Sequence, residues 1–159
     1  MSPLLENRFT FTEAALVAGI TPKTLRNWLD RYGEALELDA EGEREGTGWR
    51  RFSLVDVIRM AFLAKLATLG WTIPEASAIV SAVLDHRLAL LASYKNTPVQ
   101  LIPATFHNLV LVTWRDSDGK PWHREGYAGD PLTFEPGYHA YGVVLLEGVL
   151  RDLFGRLDI

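Results

Sequence analysis

Along the first half of the chain, apolar residues recur at the spacing of one helix face, and polar caps and glycines bracket each run. Thr12 can cap a short helix with Glu13 in its first turn and Ala14, Ala15, Leu16 and Ala18 as a small apolar body, broken at Gly19. Thr21 and Pro22 then open a second helix, because a threonine side chain caps well and proline lacks an N–H where none is needed. It extends to about Tyr32, with Gly33 as its stop. Leu25, Trp28, Leu29 and Tyr32 follow i, i+3, i+4, i+7 and form its buried stripe, leaving Lys23, Arg26, Asn27, Asp30 and Arg31 outward. A glycine-ended helix, a tight turn and a capped helix with a basic polar face is the layout of a helix-turn-helix.

Residues 34–48 are glycine-rich and charged. Leu36 and Leu38 alternate ahead of Trp49 and Phe52, which predicts a two-stranded ribbon with a long tip. Ser53 and Asp56 form a capping box for a third helix with Leu54, Val57, Ile58, Ala61, Phe62, Leu66 and Leu69 on a wide apolar face, ended by Gly70. Thr72 and Glu75 repeat the box for a fourth helix, which buries Ala76, Ile79, Val80, Val83 and Leu84 and continues through Leu88 and Leu91 to about Tyr94.

From Thr97 the pattern changes. Asn108–Trp114 is β-rich, Asp116–Gly119 is a turn, and Trp122–Glu125 returns as a hairpin partner. Pro131, Pro136 and Gly137 make residues 126–137 loop-like. From about Val143, Leu146, Val149, Leu150, Leu153, Phe154 and Leu157 stand at helical spacing, and Gly142–Leu146 can also begin as a strand. The expectation is a mostly α chain with small β elements, divided into residues 8–85 and a small α+β module at 86–159.

Composition narrows the chemistry. The 159 residues include no cysteine, which excludes disulfides, thiolate metal sites and redox thiols. The four histidines match no ligand spacing, so neither a metal nor a cofactor is expected. The motifs of serine hydrolases, zinc proteases and P-loops are absent, and no enzyme is expected. No unbroken apolar run of membrane-spanning length and no signal-peptide pattern is present, so a cytoplasmic chain without membrane contact is expected.

A net charge of −4 argues at first against a nucleic-acid partner. Its distribution reverses the argument. Residues 1–71 carry nine basic and ten acidic groups, but six of the acids (Glu34, Glu37, Asp39, Glu41, Glu43, Glu45) crowd into residues 34–45. Outside that stretch the same part has eight basic and four acidic groups. Paired cations at Arg50 and Arg51, set between Trp49 and Phe52, belong to this basic framework.

Four ordered blocks then carry a resemblance. Phe9-Thr10-Phe11-Thr12-Glu13-Ala14-Ala15, Gly19 through Arg26 with Thr24-Leu25-Arg26, Gly48-Trp49-Arg50 through Met60, and Leu69-Gly70-Trp71 through Ala76 resemble the winged helix-turn-helix of MerR-type regulators. Trp28 and Phe52 stand where that pattern has tyrosines. The resemblance implies a transcriptional regulator that binds double-stranded promoter DNA as a homodimer, with RNA polymerase and a small-molecule effector as further partners known in such proteins. It implies groove contacts for Arg26 with Thr24 and Asn27, and a phosphate contact for Arg50 in the wing. Lys23, Arg31 and Arg51 join them from facing and charge alone, and Trp49 is read as wing packing or a sugar–phosphate contact.

Three features depart from the family pattern. The acidic tip is longer than usual, the long dimer helix after the fourth helix is short or missing, and the aromatic-rich residues after about 95 match no named effector domain. Those aromatics suit a small core, a ligand pocket or a partner surface. Two other readings stay open: an architectural DNA-binding protein of excisionase type, and a protein-interaction adaptor that uses the acidic wing and the aromatic C-terminal module.

Overall fold

The computed structural model describes residues 4–6, 8–38, 50–93, 101–129 and 141–157. The chain begins with a two-residue strand, β1 (Phe9–Thr10), that runs directly into helix α1 (Phe11–Ala18). The cap of α1 is Thr10, not Thr12. Glu13 lies at the third helical position from Thr10, so its carboxylate can accept from the Thr10 N–H at 2.8 Å while Thr10 Oγ1 accepts from the Glu13 N–H at 3.4 Å. Helix α2 (Pro22–Tyr32) starts as expected at Thr21, whose Oγ1 accepts from the Thr24 N–H at 3.0 Å.

Gly33 does not stop the chain in a left-handed turn. It keeps right-handed angles (φ −48°) and starts a 3₁₀ turn, Gly33–Leu36, that drives Leu36 into the core. The left-handed residue is Glu37 instead. The expected ribbon through Leu36 and Leu38 is therefore replaced at its base: strand β2 (Arg51–Phe52) pairs antiparallel with β1, Phe9 opposite Phe52 and Thr10 opposite Arg51. The Phe11 and Phe52 rings meet with centroids 6.4 Å apart, which anchors this pairing to α1. The tip at 39–49 lies outside the described residues.

Helix α3 (Leu54–Thr68) is the axis of the fold and packs against α1 and α4. Its capping box is almost fully buried: Asp56 Oδ2 accepts from the Ser53 N–H at 2.9 Å and from its hydroxyl at 2.7 Å. A carboxylate this deep is tolerable only because donors surround it. Leu69 ends the helix exposed rather than extending its apolar face.

Helix α4 (Ile73–Ser93) is long and apolar enough, by length and hydropathy alone, to cross a membrane. Its apolar side is spent differently: Ile79, Val80, Val83, Leu84 and Leu88 are buried in the protein core beside α3.

The second half contains a short helix α5 (Ile102–Thr105) and three strands, β3 (Leu109–Arg115), β4 (Pro121–Tyr127) and β5 (Tyr141–Leu145), in antiparallel order β4-β3-β5. β5 leads directly into helix α6 (Leu146–Arg156), so residues 142–145 are strand and the helix begins at Leu146 rather than at about Val143. α6 buries Leu146, Val149, Leu150, Leu153 and Phe154 and packs on α1, α3 and β3. One core cluster runs from Leu4 to Phe154 and joins the two halves.

Polar ties reinforce that joint. Trp71 Nε1 donates to the buried Thr113 Oγ1 at 3.0 Å. The Arg115 guanidinium grips Glu75 with two bonds of 2.7 Å and lies 4.5 Å from the Trp71 ring centre. Together they fasten the start of α4 to the central strand.

Candidate nucleic-acid interface

The turn between α1 and α2 is set by Gly19, at φ 80°, a left-handed conformation that a side chain would strain. Its N–H returns to the Leu16 carbonyl at 3.0 Å and the Ile20 N–H to Ala15 at 3.0 Å, so the end of α1 is closed by the backbone itself. Two residues later Thr21 caps α2. The short connection fixes the second helix relative to the first, and Leu25, fully buried, pins it to the core.

With Leu25 inward, the opposite face of α2 is presented to solvent. Lys23, Arg26, Asn27, Asp30 and Arg31 are all exposed. The Arg26 guanidinium rests 5.8 Å from the Phe11 ring centre, which steadies a long side chain without neutralising it. Thr24 is half-buried and its hydroxyl is shared with Thr21 at 2.8 Å, so it helps shape the turn as much as the exposed face.

β1 and β2 add a second group of cations. Arg51 is exposed and its Nη1 donates to the Arg8 carbonyl at 3.4 Å, while Arg50 is half-buried. Arg8, exposed, lies over the Phe9 ring at 5.1 Å. Sequence reasoning missed Arg8. The alternation Arg8-Phe9-Thr10-Phe11 was the available signal, but a two-residue strand is too short to read as one. Glu13, next to this group, accepts from the Thr10 backbone N–H and hydroxyl; these bonds, helped by the charge of Arg51, hold its carboxyl below the usual range. Trp49 lies outside the described residues.

Part of the acidic stretch is accounted for. The Glu37 carboxylate accepts from Ser81 Oγ at 2.7 Å and lies 3.8 Å from Arg59 Nη1, which also donates to the Glu37 carbonyl at 2.9 Å. Arg59 reaches Asp85 as well, at 2.5 Å. Glu37 is therefore turned onto α3 and α4. The acids from Asp39 to Glu45 lie outside the described residues.

At the back of the turn, Arg156 of α6 donates through Nε to the Val17 carbonyl at 2.8 Å. A cation here suits the negative end of α1. The same guanidinium lies against Gly19, where a β-carbon would come within 3.1 Å of it. No group of three His, Asp or Glu side chains placed to hold a metal occurs among the described residues.

The segment that carries these residues is similar in sequence to known proteins. The family model described as MerR HTH family regulatory protein matches residues 9–83. A protein of Pseudomonas aeruginosa, named an uncharacterized HTH-type transcriptional regulator, is 30% identical over 77 residues. That match covers 48% of this chain and 54% of the relative, so the chain spans about half the length of the curated relative it matches.

Proposed function

We propose, from the premise that residues 9–83 are a helix-turn-helix domain of the MerR family, that this chain is a double-stranded DNA-binding transcriptional regulator acting as a homodimer on promoter DNA. The observation that carries the reading is the exposed row of Lys23, Arg26, Asn27 and Arg31 on a helix pinned by Leu25. On this reading α2 enters the major groove. There a guanidinium offers the planar fork that matches a guanine edge or a phosphate. Arg50 and Arg51 contact flanking phosphates, and Arg8 joins them; Trp49 adds packing or a sugar contact at the wing. Asp30, the acid within the row, discriminates against positions where it would face phosphate.

Residues 86–159 serve dimerisation or effector sensing. Two observations favour that role over a passive tail: Arg156 braces the turn ahead of α2, and Arg115 and Thr113 are tied to the start of α4. A change in the C-terminal half would thus reach the reading helix through fixed contacts. Recruitment of RNA polymerase and a small-molecule effector belong to the same reading. The protein would work in the cytoplasm.

The test is duplex binding by the purified chain across a salt series. Arg26→Ala and Arg50→Ala are each expected to weaken binding by about 1–3 kcal/mol. Absence of duplex binding at low salt together with absence of chromosomal binding sites would overturn the proposal.

A further inference from the structure

Left-handed backbone angles suit glycine and strain most other residues. Among the described residues two non-glycines adopt them, Asn108 and Glu37. Asparagine has a short polar side chain that bonds locally and offsets the conformation. Glutamate is longer, yet Glu37 stands at φ 49° and ψ 35°, directly after the 3₁₀ turn Gly33–Leu36. Gly33 could have made a left-handed exit from α2 without strain, and it stays right-handed. A strained residue persists where its surroundings over-determine it, and such residues gather at functional sites. The surroundings of Glu37 meet that condition. Leu36 before it is buried, and Leu38 after it packs against the core. The Glu37 carbonyl accepts from Arg59 Nη1 at 2.9 Å, and its carboxylate accepts from Ser81 Oγ at 2.7 Å. The other arm of the same guanidinium, Nη2, donates to Asp85 at 2.5 Å. Ser81 and Asp85 stand one turn apart on α4, so both ties end on one helix face. The Arg59 side chain is only 15% exposed, so the guanidinium is engaged within the protein. Its planar fork holds a carbonyl with one nitrogen and a carboxylate with the other, which an ammonium cannot do in the same way.

We propose that Arg59 is a positioning residue for sequence reading: from α3 it clamps the turn at Glu37 and so fixes the C-terminal end of α2, as Gly19 and Thr21 fix its start. The inference rests on the DNA reading above and adds to it a residue that acts without touching the duplex. α2 ends at Tyr32, next to Arg31 of the exposed row, and only the 3₁₀ turn separates that end from Glu37. A shift at Glu37 is therefore passed through Gly33–Leu36 to Arg31, and one turn further back to Asn27. Base edges are read by side chains held in register with them, whereas attraction to phosphate tolerates displacement. The clamp thus bears on the choice of sequence more than on affinity for duplex DNA at large.

The test compares full-length wild type, Arg59→Met, Glu37→Gly and Glu37→Val, with the fold of each checked by circular dichroism. Fluorescence anisotropy gives the affinity of each for a duplex recovered by selection and for an unrelated duplex, over a salt series. Arg59→Met is expected to lower the ratio of the two affinities about fivefold, while its salt slope on the unrelated duplex stays that of wild type. Glu37→Gly adopts left-handed angles freely and keeps the carbonyl that Arg59 holds, so it should retain most of the ratio. Glu37→Val, whose branched side chain resists those angles, should lose it. Equal weakening on both duplexes, with the ratio unchanged, would report only a loss of folded protein and overturn the proposal. A salt slope smaller by about one in Arg59→Met would mark a lost phosphate contact and overturn it too. Should Arg59→Met fail to fold, the exposed position 37 still decides: equal ratios for Glu37→Gly and Glu37→Val overturn the clamp. Each of these outcomes leaves duplex reading by Arg26 standing. A wild type that binds no duplex overturns both.

Discussion

Replacing Glu75 by glutamine removes the charge that ties α4 to the sheet while keeping a side chain able to complete the capping box with Thr72. Two 2.7 Å bonds from Arg115, supported by the Thr72 hydroxyl and N–H, hold the Glu75 carboxyl down at about 2 against an ordinary 4.5. Taken at face value that difference corresponds to at most ~3.4 kcal/mol of folding stability. Glu75 and Arg115 are 25% and 35% exposed, so water screens the pair, and ~1–2 kcal/mol is the expected contribution. In a domain of this size that lowers the melting temperature by roughly 3–8 °C. Because the folded carboxyl is the more acidic one, the contribution is complete above about pH 5 and fades as the pH falls from there toward 2. The assay is urea or thermal unfolding of wild type and Glu75→Gln at pH 7, 5, 4 and 3. The gap between them should be widest at pH 7 and mostly closed at pH 3. A gap that stays constant over this range would refute the ion pair as its source.

Other substitutions probe the turn and the reading helix. Gly19→Ala should cost about 1–2 kcal/mol from its positive φ, and more from its approach to Arg156; urea unfolding should show that Arg156→Ala in the same chain relieves the second part and not the first. Leu25→Ala, at a fully buried site, should lower stability by about 2–5 kcal/mol and loosen α2, seen as faster amide exchange from Lys23 to Tyr32. Arg8→Ala should leave the melting temperature within a degree or two and weaken duplex binding about as much as Arg51→Ala, measured by fluorescence anisotropy. Equal affinity for Arg8→Ala and wild type would remove Arg8 from the interface.

The helices of the first half were legible because their signals are local. Thr21-Pro22, Ser53 with Asp56, and Thr72 with Glu75 each mark a start within four residues, and the apolar stripes run unbroken between them. The β3–β4 hairpin was legible for the same reason. Apart from the cap of α1, which is Thr10 and not Thr12 although its partner Glu13 is close by, the reading failed where the deciding partner lies far along the chain. β1 is too short to stand out and becomes a strand only by pairing with β2, some forty residues later. Gly33 looked like a stop, yet the burial of Leu36 pulls the chain onward into a 3₁₀ turn. The tie from Arg156 to Val17 and that from Arg115 to Glu75 leave no trace in local pattern. Of the candidate interface, the α2 row was visible in advance, Arg8 was not, and the turn of Glu37 toward Arg59 and Ser81 could not have been read from its acidic neighbours.

The central claim is that the exposed face of α2 and the arginines beside it read duplex DNA. Its most direct test is the dissociation constant of wild type and Arg26→Ala for a duplex recovered by selection, followed from low to physiological salt. The wild-type affinity should fall linearly on logarithmic axes as counterions are released, and Arg26→Ala should bind at least fivefold more weakly. An affinity independent of salt, or one unchanged by Arg26→Ala, would contradict the account.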